Sequence, residues 1–284
     1  MSKQLRRRPT DIRGLRELGY ILKEDNSRTK TAPTMPRYFL EVAYKGTHYS
    51  GFQIQDNAGS VQAEIEKALL VFYRKRISLT GSSRTDAGVH ALQNYFHFDF
   101  EEVIDPRKVY NINAILPRDI VIKGVYPVGE DAHCRFDAVG REYRYFIYRK
   151  KDPFLHDRAY FFPYTLNKSQ LEEAAALVSR YEDFTSFSKR NTQVKTFVCA
   201  IRESRWFVEN DMFVYQVAAN RFLRGMVRGL VGTMLQVGRG KLTLAQFEDI
   251  LRSRDNRHAD FSVPGHGLFL FRVSFTDSLS QLLK

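Results

Sequence analysis

The 284-residue chain has few of the residues that build disulfide frameworks or metal centres. It has two cysteines, Cys134 and Cys199, which lie far apart and have no His or Cys at ligand spacing. The sequence therefore predicts neither a zinc site nor a disulfide framework, and this cysteine usage favours the reducing cytoplasm. No apolar run approaches the ~18 residues that a membrane-spanning helix requires, so we expect no membrane segment.

Acidic residues are scarce relative to basic ones. The chain has 44 Lys and Arg against 32 Asp and Glu, which gives a formal net charge of +12. Residues 1–34 carry +5 of this charge and residues 35–284 carry +7. Because Lys and Arg bind nucleic acids largely by neutralising phosphates, the excess predicts a polyanionic partner. We expect residues 1–34 to form a basic, disordered extension.

One stretch of the chain contains a single acidic residue. No other acid lies within twelve residues of Asp86, which follows Arg84 by two positions and sits between Gly81 and Gly88. Glycine tolerates positive φ and the close approach of another molecule, so both glycines predict a shaped loop rather than a regular element. A lone carboxylate beside a cation on such a loop is typical of a reactive group. An Asx-turn before a strand is the alternative.

Strand and helix patterns alternate in two comparable parts of the chain. Apolar residues recur at period two over 38–44, and Ser60 is placed to cap the helix that follows. Later come a hairpin turned at 209–211, a helix from about Phe222 to Val237, and a last strand over 268–275. Gly225, Gly229 and Gly232 in that helix leave a groove where another backbone can approach closely. Thr243 with Gln246 predicts a capping box for the next helix. This order predicts an α+β fold in which helices pack against a mixed or antiparallel sheet.

Several short motifs identify a family when they are taken together in their order along the chain. They are Tyr44-Lys45-Gly46-Thr47-His48-Tyr49-Ser50-Gly51-Phe52-Gln53, Ser60-Val61-Gln62, Gly81-Ser82-Ser83-Arg84-Thr85-Asp86-Ala87-Gly88-Val89-His90-Ala91, Leu116-Pro117-Arg118-Asp119-Ile120, His133-Cys134-Arg135-Phe136, Arg141-Glu142-Tyr143-Arg144-Tyr145, Phe222-Leu223-Arg224-Gly225-Met226-Val227-Arg228 and Gly267-Leu268-Phe269. From about Arg37 to about Phe275 the chain resembles the tRNA pseudouridine synthase A family. It departs from the family at Ser83, where a glycine is usual, and at Lys45, where an aspartate is usual.

The resemblance implies a fold and an activity. The implied fold has two similar ferredoxin-like halves, residues 35–138 and 139–284, with their sheets joined, helices on one side and the active-site cleft between the halves. The implied activity is isomerisation of uridine to pseudouridine in the anticodon stem-loop of tRNA, at positions 38, 39 and 40, by a cytoplasmic homodimer. The reaction moves ribose C1′ from uracil N1 to C5 without oxidation or loss of a group. We therefore expect no cofactor and no metal.

The resemblance also assigns roles to individual residues. Asp86 is the implied nucleophile, since an ionised carboxylate can form a covalent intermediate and leave again. Tyr143 matches the tyrosine that stacks on the flipped uracil, and its phenol is a candidate acceptor for the C5 proton. Arg84 matches the arginine that displaces the target base, and Leu268 matches an apolar residue that lines the uracil pocket. The bare pattern alone places Tyr143, Tyr145 and Leu268 in the core, and for Tyr145 we expect that core position.

Arg228 is the expected partner of Asp86. It lies in a segment that is otherwise apolar or small, where a buried charge should be paired. A guanidinium ~4 Å away attracts a carboxylate by about 4 kcal/mol at an effective dielectric constant of ~20, which favours the ionised form. The alternative is an exposed basic face that Arg228 shares with Arg221 and Arg224.

Two other functions fit parts of the sequence. A basic, aromatic-rich chain is also typical of an RNA-binding module without catalysis. Metal-dependent phosphoryl or nuclease chemistry expects several convergent carboxylates, whereas the signature loop offers one. Candidate phosphate contacts are Arg74-Lys75-Arg76, Lys189-Arg190 and Arg221 with Arg224.

Overall fold

A computed structural model describes residues 35–56, 58–190 and 194–283. In this part of the chain the strands are β1 (Arg37–Tyr44), β2 (Thr80–Gly81), β3 (His90–Asp99), β4 (Ile120–Val128), β5 (Ala138–Tyr148), β6 (Tyr160–Phe161), β7 (Ile201–Glu209), β8 (Met212–Ala219) and β9 (Leu268–Phe275). The α-helices are α1 (Val61–Tyr73), α2 (Val109–Ile115), α3 (Lys168–Val178), α4 (Met226–Gly238), α5 (Leu244–Ser253) and α6 (Asp277–Leu282). The predicted extension, residues 1–34, lies outside the described residues.

The strands form one mixed sheet in the order β4-β1-β3-β9-β5-β8-β7, with β2 on β3 and β6 on β5. The sheets of the two halves are joined where β3 runs parallel to β9, through the pairs His90↔Phe269 and Ala91↔Leu270. This confirms the predicted α+β class with a joined sheet. The predicted boundary between residues 138 and 139 falls at the start of β5, and the division into two domains stays a prediction.

Large side chains pack against the sheet in both halves of the chain. Phe52, in the loop between β1 and α1, stacks on Phe96 of β3 at 4.4 Å between ring centroids. In the second half, the Trp206 indole nitrogen of β7 contacts the Met234 sulfur of α4 at 3.4 Å. None of the helices described is long and apolar enough to cross a membrane.

Two predicted helix caps are confirmed, and one predicted helix start is corrected. The Ser60 hydroxyl accepts a hydrogen bond from the amide of Ala63, and Thr243 and Gln246 form the predicted capping box of α5. Helix α4 begins at Met226, four residues later than predicted. Gly225, with φ +75°, interrupts the helical backbone because the left-handed conformation cannot continue an α-helix.

The glycines of α4 allow another part of the chain to pack against the helix. A Cβ at Gly232 would lie 2.2 Å from the carbonyl oxygen of Asp260, and one at Gly229 would lie 2.7 Å from the Phe261 ring. The predicted close approach of another backbone is therefore confirmed. It places residues 260 and 261 along α4, and the chain runs from there towards β9.

Candidate active site

The signature motif forms a loop over residues 82–89, between β2 and β3, which we call the nucleophile loop after the role that the resemblance implies for Asp86. Gly88 has φ +75°, as expected for a shaped loop. The same prediction is wrong for Gly81, which is the second residue of β2 and pairs with Phe96. A Cβ there would lie 2.2 Å from the Phe52 ring, so close packing explains this glycine.

Buried polar side chains hold the nucleophile loop just before Asp86. The Asn94 side-chain amide donates to the Ser83 carbonyl at 2.9 Å and to the Tyr44 hydroxyl at 3.2 Å. The Tyr44 and Thr85 hydroxyls lie 2.9 Å apart, and the Phe52 amide donates to the Thr85 carbonyl at 3.1 Å. The half-buried Asp86 side chain thus projects from a backbone that hydrogen bonds at Ser83 and Thr85 hold in place.

His90 closes the other end of the nucleophile loop. Its Nδ1 accepts a hydrogen bond from the Gly46 amide, and its Nε2 lies 3.0 Å from the His266 carbonyl, so Nε2 carries the proton. Burial lowers the pKa of His90, which favours the neutral ring that these bonds require. Both ring nitrogens are occupied by backbone groups, which supports a structural role over a Ser/His triad.

Residues 261–267, which we call the facing segment, form the opposite wall. A Cβ at Gly265 would lie 2.3 Å from the carbonyl oxygen of Ala87, so this wall touches the residue next to Asp86. The Tyr145 hydroxyl donates to the Pro264 carbonyl at 2.8 Å and fixes the segment from below. Tyr145 is fully buried, which confirms its predicted place in the core.

Arg228 reaches the facing segment from α4. Its Nε donates to the Val263 carbonyl at 2.8 Å, and a terminal nitrogen lies 3.5 Å from the Phe261 carbonyl. The side chain is half-buried, unlike that of the exposed Arg224. Among the described residues its contacts are these carbonyls and not the Asp86 carboxylate. The structure therefore brings Arg228 to the wall beside the nucleophile loop, and the ion pair stays a prediction.

Tyr143 lies in β5 with its ring edge-on to Phe222, at 5.0 Å between centroids. Burial raises its pKa to about 12; the Arg141 guanidinium opposes the rise and the Asp86 carboxylate adds to it. At neutral pH the phenol is protonated.

Arg84 and Leu268 occupy contrasting positions. Arg84 is exposed on the nucleophile loop, two residues before Asp86. Leu268 is buried at the start of β9, where it pairs with Tyr145 in the sheet. Arg84 is thus open to solvent and Leu268 is not, and their roles at the base stay predictions.

Arg141 is a residue of this region to which sequence reasoning assigned no role. Its guanidinium donates to the carbonyls of Arg135 and Ala138, each at 2.8 Å, and its Nε lies 3.5 Å from the Ser83 hydroxyl. It thus links β5 to the nucleophile loop at the position where the chain departs from the family glycine. Its place two residues before Tyr143 in a shared motif was the available signal.

The described residues contain no group of three or more His, Cys, Asp and Glu side chains placed to hold a metal ion. Among the grooves of the described residues, two adjoining ones beside Lys189 and Arg190 are lined by neither Asp86 nor Tyr143. The arrangement around Asp86 is a carboxylate on a fixed loop, with a buried phenol and an exposed guanidinium nearby. Such a set can attack a carbon centre and hold a planar base.

Known proteins share both the signature and most of the chain. A family model described as tRNA pseudouridine synthase matches residues 40–137 and 181–276. Asp86, Arg228 and Leu268 lie in the matched segments, and Tyr143 lies between them.

The similarity to individual relatives covers nearly the whole length of each relative. The tRNA pseudouridine synthase A of Parabacteroides distasonis is 44% identical over 247 residues, 86% of this chain and 98% of that protein. The protein of that name from Porphyromonas gingivalis is 44% identical over 250 residues, 86% of this chain and 99% of its own. The one from Staphylococcus aureus strain N315 is 37% identical over 251 residues, 87% of this chain and 93% of its own. The chain therefore belongs to the tRNA pseudouridine synthase family, isomerases that act on tRNA.

Proposed function

We propose that this chain converts uridine to pseudouridine in the anticodon stem-loop of tRNA, at positions 38, 39 and 40, with Asp86 as the nucleophile. One observation carries the proposal. The lone carboxylate of the family signature is half-buried on a loop that is anchored on both sides and walled by the facing segment. Held in this way, the carboxylate is pre-organised for attack, which lowers the entropic cost of the reaction.

The reaction needs the target base outside the RNA stack. Extrusion costs a few kcal/mol, which contacts to the flipped nucleotide must offset. We assign the stacking contact to Tyr143 and an apolar contact to Leu268. Arg84 fills the position that the extruded base leaves in the RNA, since this side chain is exposed and its planar guanidinium offers several hydrogen-bond donors.

Asp86 then forms and releases a covalent intermediate. The carboxylate attacks the ribose or the base, the bond from C1′ to N1 breaks, and the base turns so that C5 faces C1′. The C1′–C5 bond forms and the bond to Asp86 breaks; the freed N1 takes up a proton, and C5 gives up its own. A phenol with a pKa of about 12 accepts this proton only after losing its own, so we assign stacking as the main role of Tyr143.

The decisive experiment replaces Asp86 with asparagine, which keeps the size of the side chain and removes its nucleophilic charge. We expect at least ~10³-fold less pseudouridine in a tRNA transcript, with tRNA binding retained. The control is Asp131→Asn, which removes an exposed carboxylate outside the site. Wild-type yields of pseudouridine from Asp86→Asn would refute the nucleophile assignment.

Two further measurements test the finer parts of the proposal. Mapping of pseudouridine along the product tRNA is expected to place it at positions 38, 39 and 40; product elsewhere would refute the site preference. Light scattering is expected to give twice the mass of one chain, because the family resemblance implies a homodimer. We also infer a cytoplasmic location, which the two buried free thiols, Cys134 and Cys199, support.

A further inference from the structure

A basic groove lies in the second half of the chain, away from Asp86. It runs between residues 185–190 and residues 254–257 and has a volume of about 360 Å³. An adjoining hollow extends it past Arg257 to Phe261. Four cationic side chains line the two parts, namely Lys189, Arg190, Arg254 and Arg257.

Hydrogen bonds between its walls make the basic groove rigid. The Asn256 side-chain amide donates to the Ser188 carbonyl at 2.7 Å and accepts from the Arg190 Nε at 3.3 Å. Deeper in the structure, the buried Ser186 hydroxyl donates to the Ile250 carbonyl and accepts from the Asp255 amide. The cations therefore project from fixed backbone, which reduces the entropic cost of binding.

Two of the four cations are neutralised within the protein. Arg257 binds Asp255, with Nε to Oδ2 at 2.7 Å, and Arg254 binds Asp183 at 2.9 Å. The ion pairs formed among the described residues include neither Lys189 nor Arg190. These two neighbouring charges are thus available to an anion.

The basic groove is continuous with the wall of the active site. The Lys189 amide donates to the Arg224 carbonyl, and a Cβ at Gly225 would lie 2.9 Å from the Lys189 Cγ. Lys189 therefore packs at the start of α4, one turn before Arg228. At the far end of the groove, Phe261 belongs to the facing segment that Arg228 holds.

We infer that the basic groove binds backbone phosphates of the same RNA whose uridine enters the active site. The inference rests on the proposed function and adds a binding surface to it. An open groove with two adjacent free cations and a side-chain amide suits a polyanion that passes through it. Phosphate contacts of this kind position an RNA without reading its sequence.

The test compares tRNA affinity over a range of salt concentrations for wild type and the double variant Lys189→Gln/Arg190→Gln. Glutamine keeps part of the side-chain stem that packs on Gly225 and removes the charge. Each lost phosphate contact should lower the slope of log K against log salt by about 0.7–0.9, so we expect a change of about 1.5. At low salt the affinity should fall on the order of 10-fold. KM should rise while kcat at saturating tRNA stays within about 2-fold.

The matched control is Lys67→Gln/Lys241→Gln, which removes the same charge from exposed positions outside the groove. The control should leave the salt slope within about 0.3 of wild type. An equal loss in both double variants would assign the effect to overall charge and overturn the inference. An unchanged slope in Lys189→Gln/Arg190→Gln would also overturn it.

Failure of this inference can be separated from failure of the proposed function. If the groove variants bind tRNA normally while wild type makes pseudouridine, only the groove assignment falls. If wild type makes no pseudouridine, the proposed function falls. The difference in salt slope between wild type and Lys189→Gln/Arg190→Gln, which needs binding and no turnover, then still decides whether the groove binds RNA.

Discussion

The nucleophile loop and the facing segment are both irregular, and both are held by hydrogen bonds to backbone groups. They differ in what they contribute. The nucleophile loop carries Asp86, the proposed nucleophile, and is held mainly by residues of its own half, such as Tyr44 and Asn94. The facing segment contributes the opposite wall, and Arg228 and Tyr145, which belong to the second half of the chain, hold it through its carbonyls. Each wall is thus anchored mainly within its own half, and the two walls meet where Gly265 approaches the Ala87 carbonyl.

After the Asp86 substitution itself, the largest effect is expected where the two walls touch. In Gly265→Ala the new methyl group would lie 2.3 Å from the Ala87 carbonyl oxygen, so the walls must move apart. We expect ~10²-fold lower kcat in a pseudouridine assay, because a displacement of about 1 Å can cost that much. Gly59→Ala is the control, since a Cβ there meets nothing within 4 Å. Full activity of Gly265→Ala would show that the wall does not shape the site.

Arg228→Leu tests how the facing segment is held and whether Arg228 serves Asp86. The variant leaves two carbonyls of the segment without this donor and removes the predicted partner of the carboxylate. We expect kcat to fall about 10- to 100-fold and the tRNA Kd to change less than about 3-fold. Arg224→Leu, on the exposed side of the same region, is the control for lost charge. Equal losses in kcat and affinity would instead favour a phosphate contact for Arg228.

Substitutions of Tyr143 separate stacking from proton transfer. Tyr143→Phe keeps the ring, so we expect kcat within about 3-fold of wild type. Tyr143→Ala removes the ring, and base stacking worth ~1–3 kcal/mol predicts a loss of about 5- to 150-fold in kcat/KM. The measurement is steady-state pseudouridine formation with both variants. If Tyr143→Phe loses as much kcat/KM as Tyr143→Ala, the phenol acts as the proton acceptor and stacking is not the main role of Tyr143.

The smallest effect concerns stability and lies away from the site. Burial lowers the pKa of His97 to about 4, below the ordinary value of 6.5, with the nearby His133 acting in the same direction. The unfolded chain therefore binds the proton more readily, and the contribution of His97 is complete above about pH 6.5 and lost as the pH falls towards 4. We expect the free energy of unfolding to decrease by about 1–2 kcal/mol across this window. Denaturant titrations of His97→Leu should show a smaller decrease in the free energy of unfolding over the same pH window. If this variant loses as much stability as wild type between pH 6.5 and 4, the assignment to His97 is contradicted.

Much of the local structure could be predicted because it depends on neighbours in sequence. The Ser60 cap, the Thr243 capping box and the last strand follow from short-range hydrogen bonds and periodicity, and all three are confirmed. Gly81 and the start of α4 could not be predicted. The Phe52 ring that excludes a side chain at position 81 comes from 29 residues earlier. The left-handed turn at Gly225 lies in a stretch whose apolar spacing continues the helical pattern.

By itself, the sequence determined the α+β class, the family and a lone acid at position 86, because these depend on composition, periodicity and the order of motifs. Only the tertiary structure decided which groups surround that acid. Gly265 of the facing segment contacts Ala87, which lies 178 positions earlier in the chain. Arg228 binds the facing segment through backbone carbonyls, which no side-chain motif encodes. The two parallel pairs between β3 and β9 join the halves, and contacts of such long range arise from the packing of the whole sheet.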